Sequence, residues 1–403
     1  MQCVRGVQEG AVRRSVENRD ADGSPVVVGC GVVAANGIGR KAFAGALAEG
    51  VSGIGDLVSF DASAWGRERA AEVPEFDVEP FLRSPKNYLD RSSALAFAAC
   101  EMAVRKSGLA FDARDPRRGI SLGSMGGNLH TLEVFAAAVA EKGPRLAPPF
   151  LFPHTYSNAT IGLLSIEYGL AGPHEQFCSG GAASLMAIGK AARLLAEGRA
   201  DAMIAGGAES FSEPLFRVAV ERGWLSPQDS GGECCRPFAS GRNGAVLGEG
   251  AAMFVLARTH PSPLARLLGS GAGRTPENAI RNALADARLE TEAIDGVFAA
   301  AGGYPAEDAA EAAAIIDVFG KGVSVVAPKK FFGECLGASG ALNLAAALCA
   351  IRSGALPPTR EEDREFLGET FGKRAAARPP RTLLVNAGSP DTGAWASAVL
   401  AGC

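Results

Sequence analysis

The sequence predicts an α/β fold whose sheets are covered by helices on both faces. Short apolar runs rich in Val and Ile alternate with longer Ala-rich helical segments, the pattern of strands and helices taking turns in a layered core. Hydrophobic residues make up 47 % of the 403 residues, enough for a large buried interior. Aromatics are only 7 % while Gly numbers 51, which favours close-packed layers joined by tight turns. The alternation restarts after Thr259-His260-Pro261-Ser262-Pro263, so a polar leader (1–24) precedes two halves of similar size, 25–258 and 264–403. No obvious residue-level repeat joins the halves.

Val26 to Gly39 is an apolar run ending in Gly/Asn punctuation, a buried strand and turn. Lys41 to Gly50 and Leu89 to Gly108 are Ala-rich helices, each with Gly at its end. Gly119 to Met125 reads as a strand, Ala182 to Glu197 as a helix, Ala202 to Gly206 as a strand, and Ala245 to Ala257 as a turn and strand. In the second half, Glu277 to Ala287, Ala306 to Phe319 and Gly340 to Gly354 are helical. Gly296 to Ala301, Val323 to Ala327, Thr382 to Val385 and Ala396 to Leu400 are strands, and the stretch between Leu264 and Glu277 is compact. The Arg-rich stretch Thr359 to Arg381 reads as a solvated connection.

Composition excludes several function classes. A formal net charge of −4 gives no electrostatic case for nucleic acid. No run of the roughly 18 to 20 uncharged apolar residues that spans a bilayer is expected, and the polar leader lacks a signal-peptide core. The nine Cys are scattered, an odd number, without CxxC or zinc spacing. They point to a reduced, cytoplasmic protein with no metal and no cofactor.

Several segments carry a resemblance. Phe152 to Pro173 contains FPHTYSNA, and Gly172 to Gly207 reads GPHEQFCSGGAASLMAIGKAARLLAEGRADAMIAGG. Arg236 to Ala252 reads RPFASGRNGAVLGEGAA, followed by Pro305 to Gly320 and by Ala327 to Leu348, APKKFFGECLGASGALNLAAAL. In this order and spacing they resemble the β-ketoacyl (acyl carrier protein) synthases, over about Val26 to Leu400. The resemblance implies a thiolase-like, five-layered αβαβα fold of two similar halves, and dimerisation.

The family's condensation needs a thiolate that takes the acyl group, two imidazoles that promote decarboxylation and stabilise the enolate, and backbone N–H groups for the oxyanion. The family places its Cys eight residues after the Gly-Pro proline, and about seventeen before a later Gly. Counting from Pro173 and back from Gly198 both give Gly181. The position of the first His falls on Ala300, five before Pro305, and that of the second on Glu334, five after the retained Lys329. The chain's four His (His130, His154, His174, His260) fall at neither site. The C-terminal Gly-rich loop departs as well, with Pro390 in Asn386 to Gly393. Glu209 and Glu249 read as structural carboxylates.

Lost chemistry in a retained fold resembles the chain-length factor, the ketosynthase β subunit of type II polyketide synthases. The resemblance implies a non-catalytic subunit that pairs with an active ketosynthase, works with an acyl carrier protein and shapes a chain tunnel at the dimer interface. Leu129, Leu132 and Phe135 recur every three residues after Gly126-Gly127, and they are expected to line that tunnel or the interface, against ordinary packing within the subunit. The resemblance leaves both an aromatic and a polyene-type system open, the all-round losses being compatible with the latter. Two alternatives stand beside this reading. One is a stand-alone acyl-binding homodimer. The other is an acyltransferase with relocated chemistry at Cys178 or Glu334, Cys178 being otherwise a packed strand cysteine.

Overall fold

The computed structural model describes residues 23–111, 113–227, 235–358, 379–388 and 393–403. The leader up to residue 22, most of the Arg-rich stretch (359–378), Cys234 and positions 389–392 of the Gly-rich loop lie outside the described residues.

Ten strands carry the fold: β1 (Val26–Ala34), β2 (Arg118–Gly123), β3 (His174–Phe177), β4 (Ala202–Glu209), β5 (Gly250–Ala257), β6 (Ala265–Gly273), β7 (Gly296–Phe298), β8 (Ser324–Val326), β9 (Thr382–Gly388) and β10 (Trp395–Ala401). The main helices are α1 (Arg40–Glu49), α2 (Arg91–Ser107), α3 (Leu129–Lys142), α4 (Ala159–Glu167), α5 (Ala183–Ala196), α6 (Glu213–Glu221), α7 (Pro276–Ala287), α8 (Pro305–Phe319) and α9 (Ser339–Ser353).

The strands run β8-β7-β9-β10-β6-β1-β5-β4-β2-β3 across one continuous path. The first half, β1-β5-β4-β2-β3, has two antiparallel pairings followed by two parallel ones. The second half, β6-β10-β9-β7-β8, repeats the same order and directions. The halves join where Val26 and Val27 of β1 pair with Arg266 and Ala265 of β6. The compact stretch after the break between the halves, to which the sequence assigns no element, is therefore the strand β6. Its Gly- and Ser-rich composition (Gly269-Ser270-Gly271-Ala272-Gly273) hides the apolar periodicity by which strands are read.

Those glycines have a steric purpose that also exposes the duplication. A Cβ on Gly29 or Gly31 of β1 would stand 2.1 Å from the Ala103 carbonyl oxygen or 2.0 Å from that of Ala99, both on α2. A Cβ on Gly269 or Gly271 of β6 would stand 2.4 Å from the backbone nitrogen of Ala287 or Ala283, both on α7. In each half a Gly-x-Gly pair lets an Ala-rich outer helix lie directly on the strand backbone. This is the residue-level repeat that simple sequence comparison does not show.

α5 and α9 pack against each other between the two half-sheets, while α2 covers one outer face and α7 with α8 the other. The result is the five-layered αβαβα arrangement. Leu336–Ser353, ending in α9, is long and apolar enough to cross a membrane by length and composition, contrary to expectation, but it is 83 % buried at the centre of the molecule. It is apolar all round because protein surrounds it on every side.

Candidate functional site

The two central helices begin at equivalent turns. Gly180–Ala182 leads into α5, and Leu336–Ala338 leads into α9, with Gly180 and Leu336 both at positive φ (56° and 44°). The turns pack together, so the positions counted as nucleophile and second histidine converge where the halves meet. Gly181 is buried in the first turn and offers no side-chain nucleophile. Glu334 lies two residues before the second. Its backbone is clamped by its N–H donating to Val246 O (2.8 Å) and its carbonyl accepting from Gly248 N (2.9 Å).

Glu334 and Lys329 form an ion pair, Nζ to Oε2 at 2.5 Å, with side chains 0 % and 1 % exposed. The other carboxylate oxygen accepts from Leu336 N (3.0 Å) and Ser339 Oγ (2.7 Å). Both charges are thus neutralised and hydrogen-bonded, the condition under which buried charges are tolerated. A carboxylate held this way accepts hydrogen bonds and cannot donate one to an enolate, as a neutral imidazole does.

Ala300 follows β7 and packs with Ala279 and the Trp395 indole. Behind it lies a polar network that the sequence did not single out. Ala300 N and Asn386 Nδ2 both donate to Glu311 Oε1 (2.8 and 2.9 Å), Ser397 Oγ donates to Asn386 Oδ1, and Asn343 Nδ2 donates to the carbonyls of Ala299 and Asn386. Burial pushes the Glu311 carboxyl up to about 7, with Asp308 adding to the rise. Burial likewise lifts Asp308 to about 6, against donation from the backbone of Phe238, Gly302 and Gly303. The available signal was the acidic pair at i, i+3 in an otherwise Ala-rich helix start, PAEDAAEAAA. Tyr304, one turn before Asp308, is buried with its hydroxyl unpaired among the described residues and its pKa driven up by burial and by Glu334.

The remaining candidates are placed as follows. Cys178 follows β3 and is exposed rather than packed, a correction that reflects the position of β3 at the open end of the sheet. His174 turns its Nδ1 to Gly172 O at 2.8 Å. Cys335 is buried, its thiol donating to Phe332 O, and burial with Glu334 nearby raises its pKa. Glu249 accepts from Val73 N and pairs with Arg91. Leu129 is half-buried against an aromatic cluster that includes Phe216, Tyr304 and Leu336. Leu132 is 44 % exposed, and Phe135 stacks on Phe152, itself against Tyr156.

The chain matches "Beta-ketoacyl synthase, N-terminal domain" over residues 24–262 and "Beta-ketoacyl synthase, C-terminal domain" over 269–362. It is 33 % identical to the tetracenomycin polyketide synthase ketoacyl synthase beta subunit of Streptomyces glaucescens, covering 83 % of this chain and 88 % of that protein. It is 34 % identical to 3-oxoacyl-[acyl-carrier-protein] synthase 2 of Coxiella burnetii, covering 83 % and 87 %. Among solved structures it resembles the ishigamide ketosynthase/chain length factor (TM-score 0.83, 27 % identity, 94 % of this chain and 99 % of that one). It shares its fold with a chain of the ketosynthase–chain length factor complex of Xenorhabdus doucetiae (TM-score 0.80, 20 % identity, 94 % and 98 %).

Proposed function

Since this chain belongs to the β-ketoacyl synthase family, we propose that it is the non-catalytic member of a ketosynthase pair, a chain-length factor that shapes the acyl tunnel in type II polyketide biosynthesis. The observation that carries the reading is the Lys329–Glu334 pair. The retained lysine is satisfied by a glutamate where the condensing chemistry needs an imidazole, in a chain with Gly181 and Ala300 at the other two reactive positions. Nothing in that constellation can accept an acyl group and then decarboxylate a malonyl unit.

Two surfaces support a partner of like fold. β3 ends the sheet with one side unpaired among the described residues, an edge that another strand can extend. Leu132, Phe152 and Tyr156 expose apolar surface around α3 and the turn before α4, and such surface marks an interface. The partner in this reading is a catalytic ketosynthase, with an acyl carrier protein delivering the chain. The fuller loss of chemistry favours a polyene-type pathway.

The test is co-expression with a ketosynthase that keeps the Cys and both histidines. A 1:1 complex that condenses malonyl groups on a carrier is expected, with Leu132→Ala and Phe135→Ala altering product length. A soluble symmetric homodimer that never captures an active ketosynthase would sink the proposal.

A further inference from the structure

The segment leaving β4 grips α3 at two separate points. Glu209, fully buried, collects donors from two turns. Its Oε2 accepts from Met125 N (2.5 Å) and Gly337 N (3.2 Å), and its Oε1 from Gly126 N (3.2 Å) and Ser124 Oγ (3.2 Å). Ser124 Oγ in turn accepts from Gly127 N (2.8 Å). One carboxylate therefore binds the turn that launches α3 to the turn that launches α9. Three residues on, Ser212 Oγ donates to Glu133 Oε1 of α3 at 2.8 Å while capping α6. Between the two grips, Phe211 packs with Met125 and Leu129 into the aromatic cluster.

Glu133 lies four residues after Leu129, so the two share a face of α3, and that face is turned to the 209–212 segment. Leu132 and Phe135 lie beside it, toward the open surface. The first turn of α3 is also fixed from the α2 and α4 sides, by Asp90 Oδ2 accepting from Thr131 N and Oγ1 and by Asn128 Oδ1 accepting from Ser93 of α2 and Thr160 of α4. Beyond that turn, the side-chain hydrogen bond that holds α3 among the described residues is Ser212 to Glu133.

We propose that Glu209 and the Ser212–Glu133 hydrogen bond are the positioning residues that set how far α3 projects into the tunnel, and so determine the length at which the chain stops. This rests on the chain-length reading above. Side chains that limit a cavity do so only as sharply as their helix is held, and displacements near 1 Å are enough to change what a site accepts.

The experiment measures product lengths by mass spectrometry from the isolated ketosynthase complex supplied with malonyl-loaded carrier protein. Glu133→Ala, which removes the acceptor on a partly exposed residue, is expected to shift or broaden the products by about one two-carbon unit, total malonyl consumption staying within about threefold. Glu133→Gln keeps an acceptor and is expected to restore the wild-type distribution. Glu209→Gln, which turns an amide donor toward backbone donors, is expected to shift it as Glu133→Ala does. Should Glu209→Gln not fold, the Glu133 pair decides alone. Unchanged lengths in Glu133→Ala while Leu132→Ala shifts them would overturn this inference and leave the chain-length reading standing. Unchanged lengths in all of these variants would overturn both. Glu133→Gln behaving like Glu133→Ala, or loss of pairing in Glu133→Ala, also overturns it, since charge or the interface would then be the cause.

Discussion

Lys329 and Glu334 face each other across a 2.5 Å Nζ–Oε2 contact from which solvent is excluded. Their partnership makes each the counter-charge of the other in a closed, buried ion pair. Removing one charge strands the other in the core. Lys329→Ala is expected to cost about 3–5 kcal/mol, read as a fall in the urea midpoint. Lys329→Met combined with Glu334→Gln should recover about half of that loss, because no buried charge is left uncompensated. Additive losses in the double variant would show that the pair does not act as a unit.

Stability should fall as pH rises from 5 to 8. Glu311 binds its proton more tightly in the folded state, where burial raises its pKa from an ordinary 4.5 to about 7. Its contribution is complete below the unfolded value and is lost as pH climbs through about 7, on the order of a few kcal/mol. Glu209 (about 7) and Asp308 (about 6) add with the same sign. Glu311→Gln keeps an acceptor for Ala300 N and Asn386 and is expected to flatten the slope of unfolding free energy against pH. An identical slope in that variant would mean that Glu311 ionises normally.

Placing an imidazole at position 300 should be unfavourable. Ala300 is in contact with Trp395 and Ala279, so Ala300→His overfills the site and is expected to cost about 1–3 kcal/mol. For the same reason, combining Ala300→His with Gly181→Cys and Glu334→His should leave the chain unable to condense malonyl groups. A Tm equal to wild type for the single variant would show that the space is open.

Thiol reactivity should follow burial. Cys178 and Cys403 are exposed, whereas Cys30, Cys100 and Cys335 are buried and burial pushes their thiols up. Iodoacetamide is expected to label Cys178 and Cys403 at similar rates in the native protein, and the buried three only after unfolding. Labelling of Cys178 more than about tenfold faster than Cys403 would revive the relocated nucleophile.

Much of the fold was legible because strong signals coincide. α2 announces itself by Ala-rich periodicity, Asp90 at its N-cap accepting from Ser92 N, and Gly108 in the left-handed conformation after its end. α8 was placed to within one residue at its start, where Pro305 occupies the first turn. β6 was missed because its pairing surface is made of glycines that serve the helix above it. α4 (Ala159–Glu167) and α6 (Glu213–Glu221) were not assigned either, both being nine-residue helices whose patterns are short. Motif spacing needs only the chain, so the three positions counted as reactive, Gly181, Ala300 and Glu334, are an expectation that counting alone supplies. The Glu311–Asn386–Ser397 network could not be counted out, since its members come from α8, β9 and β10.

The sequence by itself determined the α/β class, the alternation of elements and the absence of Cys and His from the positions counted as reactive. These follow from local propensity, apolar period and spacing, all carried by neighbours along the chain. Only the tertiary structure decided that the halves repeat strand for strand, that Glu334 is neutralised by Lys329, and that Glu209 ties α3 to the entrance of α9. Each of those depends on which distant segments share a water-free interior, where an unpaired charge or N–H is costly enough to select its partner.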